Sequence, residues 1–375
     1  MPVDFDQRLQ NLRDRRLGLT TLMAKSESVT TDSVAMLTRV LKEESYQRRA
    51  AGRATKYALG VMQAVDPEYT QNSYDEGDRV QRQLRDALEG EISTEFRYQG
   101  SVPLDIHIKG ISDIDMLVLR NDFHTYDPSG AAAIAGHYRS PIPDTPVSRM
   151  QRLRSRCETI LTGAYPAAKV DTSGAKSITL SGGSLRRKVD VVPSHWHDTA
   201  QYQLSGLEHE RGISILLKDK HQTAENLPFV HIKCINDKDI GTWGGTKKAI
   251  RLLKNLKNDS DYTSLISLSS YDIASLVWHF PNSSLQVVDS KELTLLAATK
   301  LHLTWCAANK AAVMDLQTPD GTRKIIDSDS KFMGLQLLSL EVDQLVEGVA
   351  EDLKRDSLVF GKTADERLRK SYIAA

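Results

Sequence analysis

The chain has 375 residues, 40% hydrophobic and 26% charged, an ordinary composition for a water-soluble globular protein and long enough for two domains. Lysine plus arginine equals aspartate plus glutamate at 49 each, so no global positive field exists to hold long nucleic acid by counter-ion release, and only a local basic groove is left open. The cysteines Cys157, Cys234 and Cys306 are scattered with no CxxC pair, as for structural thiols in a reducing compartment. The start, Met1-Pro2-Val3-Asp4-Phe5-Asp6, lacks the basic and apolar regions of a signal peptide. Nowhere do about 18 apolar residues run together. A cytoplasmic protein without a membrane segment is expected.

Taken in chain order, residues 30 to 65 carry an intermittent apolar stripe (Val34, Met36, Leu37, Val40, Leu41) that predicts a long helix, and 67 to 73 reads as its break. Val80, Leu84, Ala87 and Leu88 predict a second helix over 75–88. A short strand over 97–101 enters a turn. Residues 111–119 form a strand whose far end, Met116-Leu117-Val118-Leu119, is apolar on both faces, as in a buried sheet. The stretch 120–146, rich in Pro, Gly, Ser and Ala, reads as a surface insertion or mobile loop. A helix over 148–161 and strands at 168–171, 177–180 and 188–192 follow. After Pro193 the pattern turns helical, at 240–258, 270–280, 290–309 and 331–355, with a polar loop at 315–323. The expected fold class is α+β: a mixed-sheet lobe with N-terminal helices over 1–205, then a helical C-terminal lobe over 206–375.

Chemistry is concentrated in three places. Gly100-Ser101 is followed, after eleven intervening residues, by Asp113-Ile114-Asp115, and a third carboxylate, Asp190, lies in Lys188-Val189-Asp190-Val191-Val192-Pro193. Side chains two apart on a strand share a face at roughly 6.6 Å. Asp113 and Asp115 therefore converge while Ile114 and Met116 enter the core. Two Mg2+ ions roughly 3.5–4 Å apart, with Mn2+ as an alternative, can clamp an in-line phosphoryl displacement between such carboxylates. Asp190 would serve the attacking side. The glycine-serine turn offers backbone amides and a hydroxyl to triphosphate oxygens. In the later segment Lys247, Arg251 and Lys254 fall at helical spacing on one face, with Ile250, Leu253 and Leu256 on the other. Ser269 or Ser270 adds a hydroxyl before the next helix.

Each feature has a plainer account. D-x-D occurs often by chance; the upstream Gly-Ser, the hydrophobic strand and the matching V-D-V-V-P are what lift it. A basic helix face is commonly just solvated, and a serine before a helix is commonly an N-cap. His195-Trp196-His197-Asp198 has no HExxH or CxxC companion and reads as a packed loop at the lobe junction rather than a zinc site. Arg186-Arg187-Lys188 is a charged hairpin or a phosphate clamp.

Assembled, these residues resemble the Polβ-like nucleotidyltransferase superfamily, whose signature is Gly-Ser, about ten residues, and an acidic-x-acidic strand. Within it the chain is similar to the bacterial cyclic GMP–AMP synthase-like enzymes called CD-NTases, relatives of oligoadenylate synthases. Tyr98-Gln99-Gly100-Ser101, Ser112-Asp113-Ile114-Asp115, Val189-Asp190-Val191-Val192-Pro193, Ile250-Arg251-Leu252-Leu253-Lys254 and Ser269-Ser270-Tyr271-Asp272-Ile273 carry the likeness. The resemblance implies an active site in the cleft between two lobes. It also implies joining of nucleoside triphosphates (ATP, GTP or others) into cyclic di- or trinucleotides with pyrophosphate release. Such products activate an effector in antiphage defence, and a regulatory protein partner is compatible with it. By position, Asp113, Asp115 and Asp190 would hold magnesium, Gly100 and Ser101 the triphosphate, and Lys254 with Ser270 the donor phosphates. Segment 120–146 is longer and richer in Pro and Gly than that pattern, and 206–239 matches nothing in it.

Two rival readings stand beside this one: a toxin-like transferase that places nucleotides on tRNA or protein, and an inactive nucleotide-binding scaffold. Three retained carboxylates argue against the scaffold, because a cluster of like charges is costly to keep without cations.

Overall fold

The computed structural model describes residues 3–17, 44–138, 144–354, 361 and 363–374. They form two compact units that interleave along the chain: Asp66–Leu104 with Ser112–Cys234, and Met1–Val65 with Asp105–Ile111 and Ile235–Ala375. The α+β expectation holds, with one unit sheet-based and the other helical. The predicted division at 205/206 falls inside the sheet unit. Strands after residue 205 pair onto the sheet, and the N-terminal helices up to Val65 cluster with the helical unit instead.

The sheet unit contains β1 (Thr94–Gln99), β2 (Ile114–Tyr126), β3 (Lys169–Asp171), β4 (Ile178–Ser181), β5 (Val189–Asp198), β6 (Gly212–Leu217) and β7 (Gln222–Asn226). The strand order is β1-β2-β5-β4-β3, with β6 on β5 and β7 on β6. Only β2 and β5 pair in parallel; the other pairs are antiparallel. Parallel strands are covered on both faces, and here alternate residues enter two separate cores. Ile114, Met116 and Val118 join Val189 and Val191 beneath the helices Pro67–Leu88 and Pro146–Ala164, which contribute Val80, Leu84, Leu88, Met150, Leu153, Cys157 and Leu161. On the opposite face Leu117 and Leu119 pack with Val192, Trp196, Ile213, Ile215 and Phe229.

Several elements depart from the pattern read along the chain. Residues 67–73 do not break a helix; they start one. Asp66 caps Pro67–Leu88 by accepting the Glu68 N–H, and Pro67 sits in the first turn, where its missing donor costs nothing. The helix expected over 30–65 lies outside the described residues up to 43. Beyond that it is two helices, Ser45–Arg48 and Arg53–Met62. Gly52, the N-cap of the second, lies between them, and a side chain there would overlap Asp352. That carboxylate accepts the Thr55 N–H at 2.9 Å and its hydroxyl at 3.1 Å, satisfying the helix start from elsewhere in the same unit.

The sheet also extends further than expected. β2 runs to Tyr126, and a short helix, Ala131–Ile134, occupies part of the supposed loop 120–146, of which 139–143 lie outside the described residues. Pro193 does not end β5. β4 covers one edge of β5 only at Val189–Val191, and β6 takes over from Ser194, so the proline falls where no partner on that edge needs an N–H. Segment 206–239 is the β6–β7 hairpin and most of the helix Pro228–Gly241. The helical unit holds Gly245–Asp259, Ser270–Trp278, Glu292–Ala308 and Asp329–Lys354, each within a few residues of its predicted span. Among the described residues, no helix is long and apolar enough to cross a membrane.

The His195-Trp196-His197 cluster is strand, not loop. His195 is fully buried, donates through Nδ1 to the Trp196 carbonyl at 2.8 Å, and sets its ring edge-on to Phe123. Burial drives its pKa down to about 4. Its folded-state pKa thus lies below its unfolded one, near 6.5, so between those values the unfolded chain binds the extra proton. The contribution is complete above the upper value and is lost as pH falls towards 4. Urea unfolding of the wild type and of His195→Leu at pH 7 and pH 5 should show the wild type losing up to about 1.4 kcal/mol per pH unit more than the variant.

Candidate active site

The site begins where β1 ends. Gly100 has φ +78°, and a Cβ at this position would run into Asp115 Oδ2. Glycine is needed for both reasons: the left-handed backbone, and the carboxylate that lies against it. The antiparallel ladder causes this approach, because Gln99 is the register partner of Asp115. One residue earlier, Tyr98 anchors the turn. Its hydroxyl donates to Asp78 Oδ1 at 2.6 Å, and Gly77 leaves room for the ring on the Pro67–Leu88 helix. Burial, followed by that carboxylate, pushes the phenol pKa far up, so Tyr98 remains a donor. Ser101 follows, half-buried, in the turn.

The parallel pairing of β2 with β5 places Asp115 directly opposite Asp190. Asp113 lies two residues earlier on the same face, the one that continues into Leu117 and Val192. All three carboxylates therefore share one surface of the sheet, away from the two covering helices, while Ile114 and Met116 are buried on the other side as expected. Asp190 is oriented from behind: Thr179 on β4, its register partner, donates its hydroxyl to Oδ1 at 2.5 Å. Lys188 Nζ stands 2.5 Å from Asp113 Oδ2 and 3.9 Å from Asp190 Oδ2. Burial, with the Asp190 charge adding to it, raises the Asp113 pKa against the opposing pull of Lys188. Among the described residues, no group of three His, Cys, Asp or Glu side chains is arranged to hold a metal ion unaided. The positive charge that the chain itself brings to Asp113 and Asp190 is Lys188.

The remaining predicted residues belong to the helical unit. Lys247, Arg251 and Lys254 do line one side of Gly245–Asp259, with Ile250, Leu253 and Leu256 fully buried on the other. The face is not solvated, however. Arg251 donates from Nε to the Met62 carbonyl at 2.8 Å and from Nη1 to that of Asp105 at 2.7 Å, and Lys254 Nζ donates to the Ile106 carbonyl at 2.6 Å. Both are nearly fully buried. Lys247 lies 3.8 Å from Asp239. Ser269, not Ser270, caps Ser270–Trp278: its hydroxyl accepts the Asp272 N–H, and its own N–H donates to the Asp272 carboxylate. Ser270 is exposed as the first helical residue.

Sequence reading missed Thr179 and the pairing role of Lys188. Both are identified by strand register, which brings residues eleven and seventy-five positions apart together. Gly100→Ala should cost about 1–2 kcal/mol for the left-handed backbone and displace Asp115. Chemical denaturation checks the first effect, and a turnover loss well beyond the stability loss checks the second. Thr179→Val keeps the side-chain shape but frees Asp190 Oδ1. Steady-state kinetics should show activity about 10–100-fold lower with an unchanged melting temperature.

Comparison with known proteins fits this geometry. Residues 233–338 match the profile of the cGAS/DncV-like nucleotidyltransferase C-terminal helical domain. The cyclic dinucleotide synthase CdnE of Yersinia aleksiciae is 39% identical over 385 residues, covering 98% of each chain. Among solved structures, the STING-associated CdnE c-di-GMP synthase of Capnocytophaga granulosa matches with a TM-score of 0.67 at 27% identity, over 92% of this chain and 97% of that one. A STING-associated CdnE c-di-GMP synthase from a Flavobacteriaceae species shares the fold with a TM-score of 0.74 at 22% identity, over 94% and 99% of the two chains. Identity sustained along nearly the full length of a synthase, together with the glycine turn and carboxylate pair described above, establishes that the chain belongs to the cGAS/DncV-like nucleotidyltransferases, the CD-NTase family.

Proposed function

We propose that this chain condenses nucleoside triphosphates into a cyclic dinucleotide and releases one pyrophosphate for each bond formed. The observation that carries the reading is the register pair Asp115–Asp190, with Asp113 on the same face and Gly100 against Asp115, in a chain so similar to a cyclic dinucleotide synthase. Three carboxylates with one ammonium among them make a net negative, oxygen-only donor set, which suits a hard divalent cation. Asp113, Asp115 and Asp190 are the residues that would hold Mg2+, or Mn2+ in its place. Bound there, the metal would neutralise charge on the phosphates and lower the pKa of the attacking hydroxyl.

The chain's own groups then divide the work. Backbone amides of the Gly100-Ser101 turn and the Ser101 hydroxyl receive triphosphate oxygens. The ribose hydroxyl of one nucleotide attacks the α-phosphorus of the other, the bond to the β-phosphate oxygen breaks, and pyrophosphate leaves. Asp190, held by Thr179 through one oxygen, is positioned to take the hydroxyl proton on the other. A second, equivalent attack closes the ring. Lys247, Arg251, Lys254 and Ser270 are assigned to the donor phosphates. For Arg251 and Lys254 this requires exchanging a backbone carbonyl for a phosphate oxygen. The product would act on a downstream effector, and a regulatory protein would set when it is made.

Incubation with all four nucleoside triphosphates and magnesium, followed by mass spectrometry, should yield a phosphatase-resistant cyclic species. Asp115→Ala should lower its rate by at least about a thousandfold, equivalent to about 4 kcal/mol of transition-state stabilisation. Label appearing on tRNA or protein would point to the transferase alternative. Nucleotide binding with no turnover would point to a scaffold, and an Asp115→Ala enzyme of undiminished rate would reject the site.

A further inference from the structure

Lys188 stands in an unusual position. It is a half-exposed lysine directly preceding β5, yet its head is turned onto the carboxylates rather than into solvent. The backbone explains the reach: the Ile114 N–H donates to the Lys188 carbonyl at 3.1 Å, so Lys188 faces Asp113 across the strands just as Asp190 faces Asp115. One cross-strand pair is thus opposite in charge and the next is like in charge. Directly opposed like charges destabilise a sheet. An exposed lysine–carboxylate pair is worth little by itself, because ordering the long stem offsets the attraction. Held 3.9 Å from a second carboxylate, the ammonium offsets repulsion within the whole cluster.

We propose that Lys188 is a resident counter-ion: in the metal-free protein its ammonium takes the cation position between Asp113 and Asp190, and an entering divalent cation displaces it towards the nucleotide phosphates. This rests on the metal reading above. A metal ion binds a carboxylate oxygen at about 2.1 Å, whereas Nζ already lies 2.5 Å from Asp113 Oδ2. Sharing that oxygen would hold the ammonium and the metal roughly 4 Å apart, where their like charges repel. Lys188 therefore weakens binding of the bare metal. A metal arriving with a triphosphate pays no such penalty, because the phosphates offer the ammonium a new partner. Metal loading becomes coupled to substrate.

Two measurements on the full chain test this, with Mn2+ alone as the probe. In titrations followed by electron paramagnetic resonance, Lys188→Met should bind Mn2+ about tenfold more tightly than the wild type. Lys176→Met, which removes an exposed lysine outside the cluster, should change the affinity less than about twofold. Charge removal alone would give part of that gain, so the second measurement follows displacement itself. Acylation of Lys188, read by peptide mass spectrometry, should rise about threefold or more when Mn2+ saturates the wild type, because the amine loses its carboxylate partner. If Mn2+ binds and Lys188 labelling does not change, the inference is overturned while the metal reading stands. If neither the wild type nor Lys188→Met binds Mn2+, both fail.

Discussion

The parallel contact of β2 with β5 is the constraint on which the rest of the sheet unit depends. Among the described strands it is the only parallel pair, and it sets Asp115 against Asp190, a pairing that electrostatics alone would disfavour. What holds it is apolar burial on both faces: Met116, Leu117, Val118 and Leu119 are wholly inaccessible to solvent. Each fully buried side chain of that kind is worth about 1.5–3 kcal/mol, ample to carry a like-charge pair at the strand ends. A slip of one residue would send the carboxylates into the helix-covered core, so the burial pattern that secures the register also secures the site.

Around this pair the neighbouring strands supply what the carboxylates need. β1 brings Gly100 close enough that no side chain fits between it and Asp115. β4 brings the Thr179 hydroxyl to Asp190. The approach to β5 brings Lys188. Each carboxylate thus has a different companion, a backbone turn, a hydroxyl or an ammonium, and the three are not chemically equivalent. Burial also raises the pKa of Asp113, the carboxylate paired with lysine.

The helical unit follows different physics. Its basic residues are consumed largely by internal polar contacts. Arg15 bonds to Asp259, which also accepts the Tyr57 hydroxyl, and Arg8 pairs with Glu341. Arg251 and Lys254 grip carbonyls of the segment Asp105–Ile111, which folds with this unit although the chain continues from it directly into Asp113. Leaving such buried carbonyls unpaired would cost about 1–3 kcal/mol each. The helix face that reads as a solvated phosphate cradle in one dimension is thus, as folded, also a brace for the segment between the glycine turn and the strand that bears Asp115.

Local chemistry written in the chain was enough to identify the α+β class, the Gly100-Ser101 turn, the buried strand that follows Asp113 and bears Asp115, and Asp190 as a third carboxylate on a strand of its own. Alternation of apolar residues and the need for a flexible turn are properties of neighbouring residues, and these are visible in a string of letters. Other features were not legible there. The continuation of β5 through Pro193 depends on where β4 stops and β6 begins. The need for glycine at position 52 and the capping of the helix after it depend on Asp352. The companions Thr179 and Lys188, the burial of Arg251 and Lys254, and the attachment of the N-terminal helices to the helical unit all depend on pairings between distant segments. Those pairings are set by packing and register, whose energies arise only once the chain has folded, and so only the tertiary structure decided them.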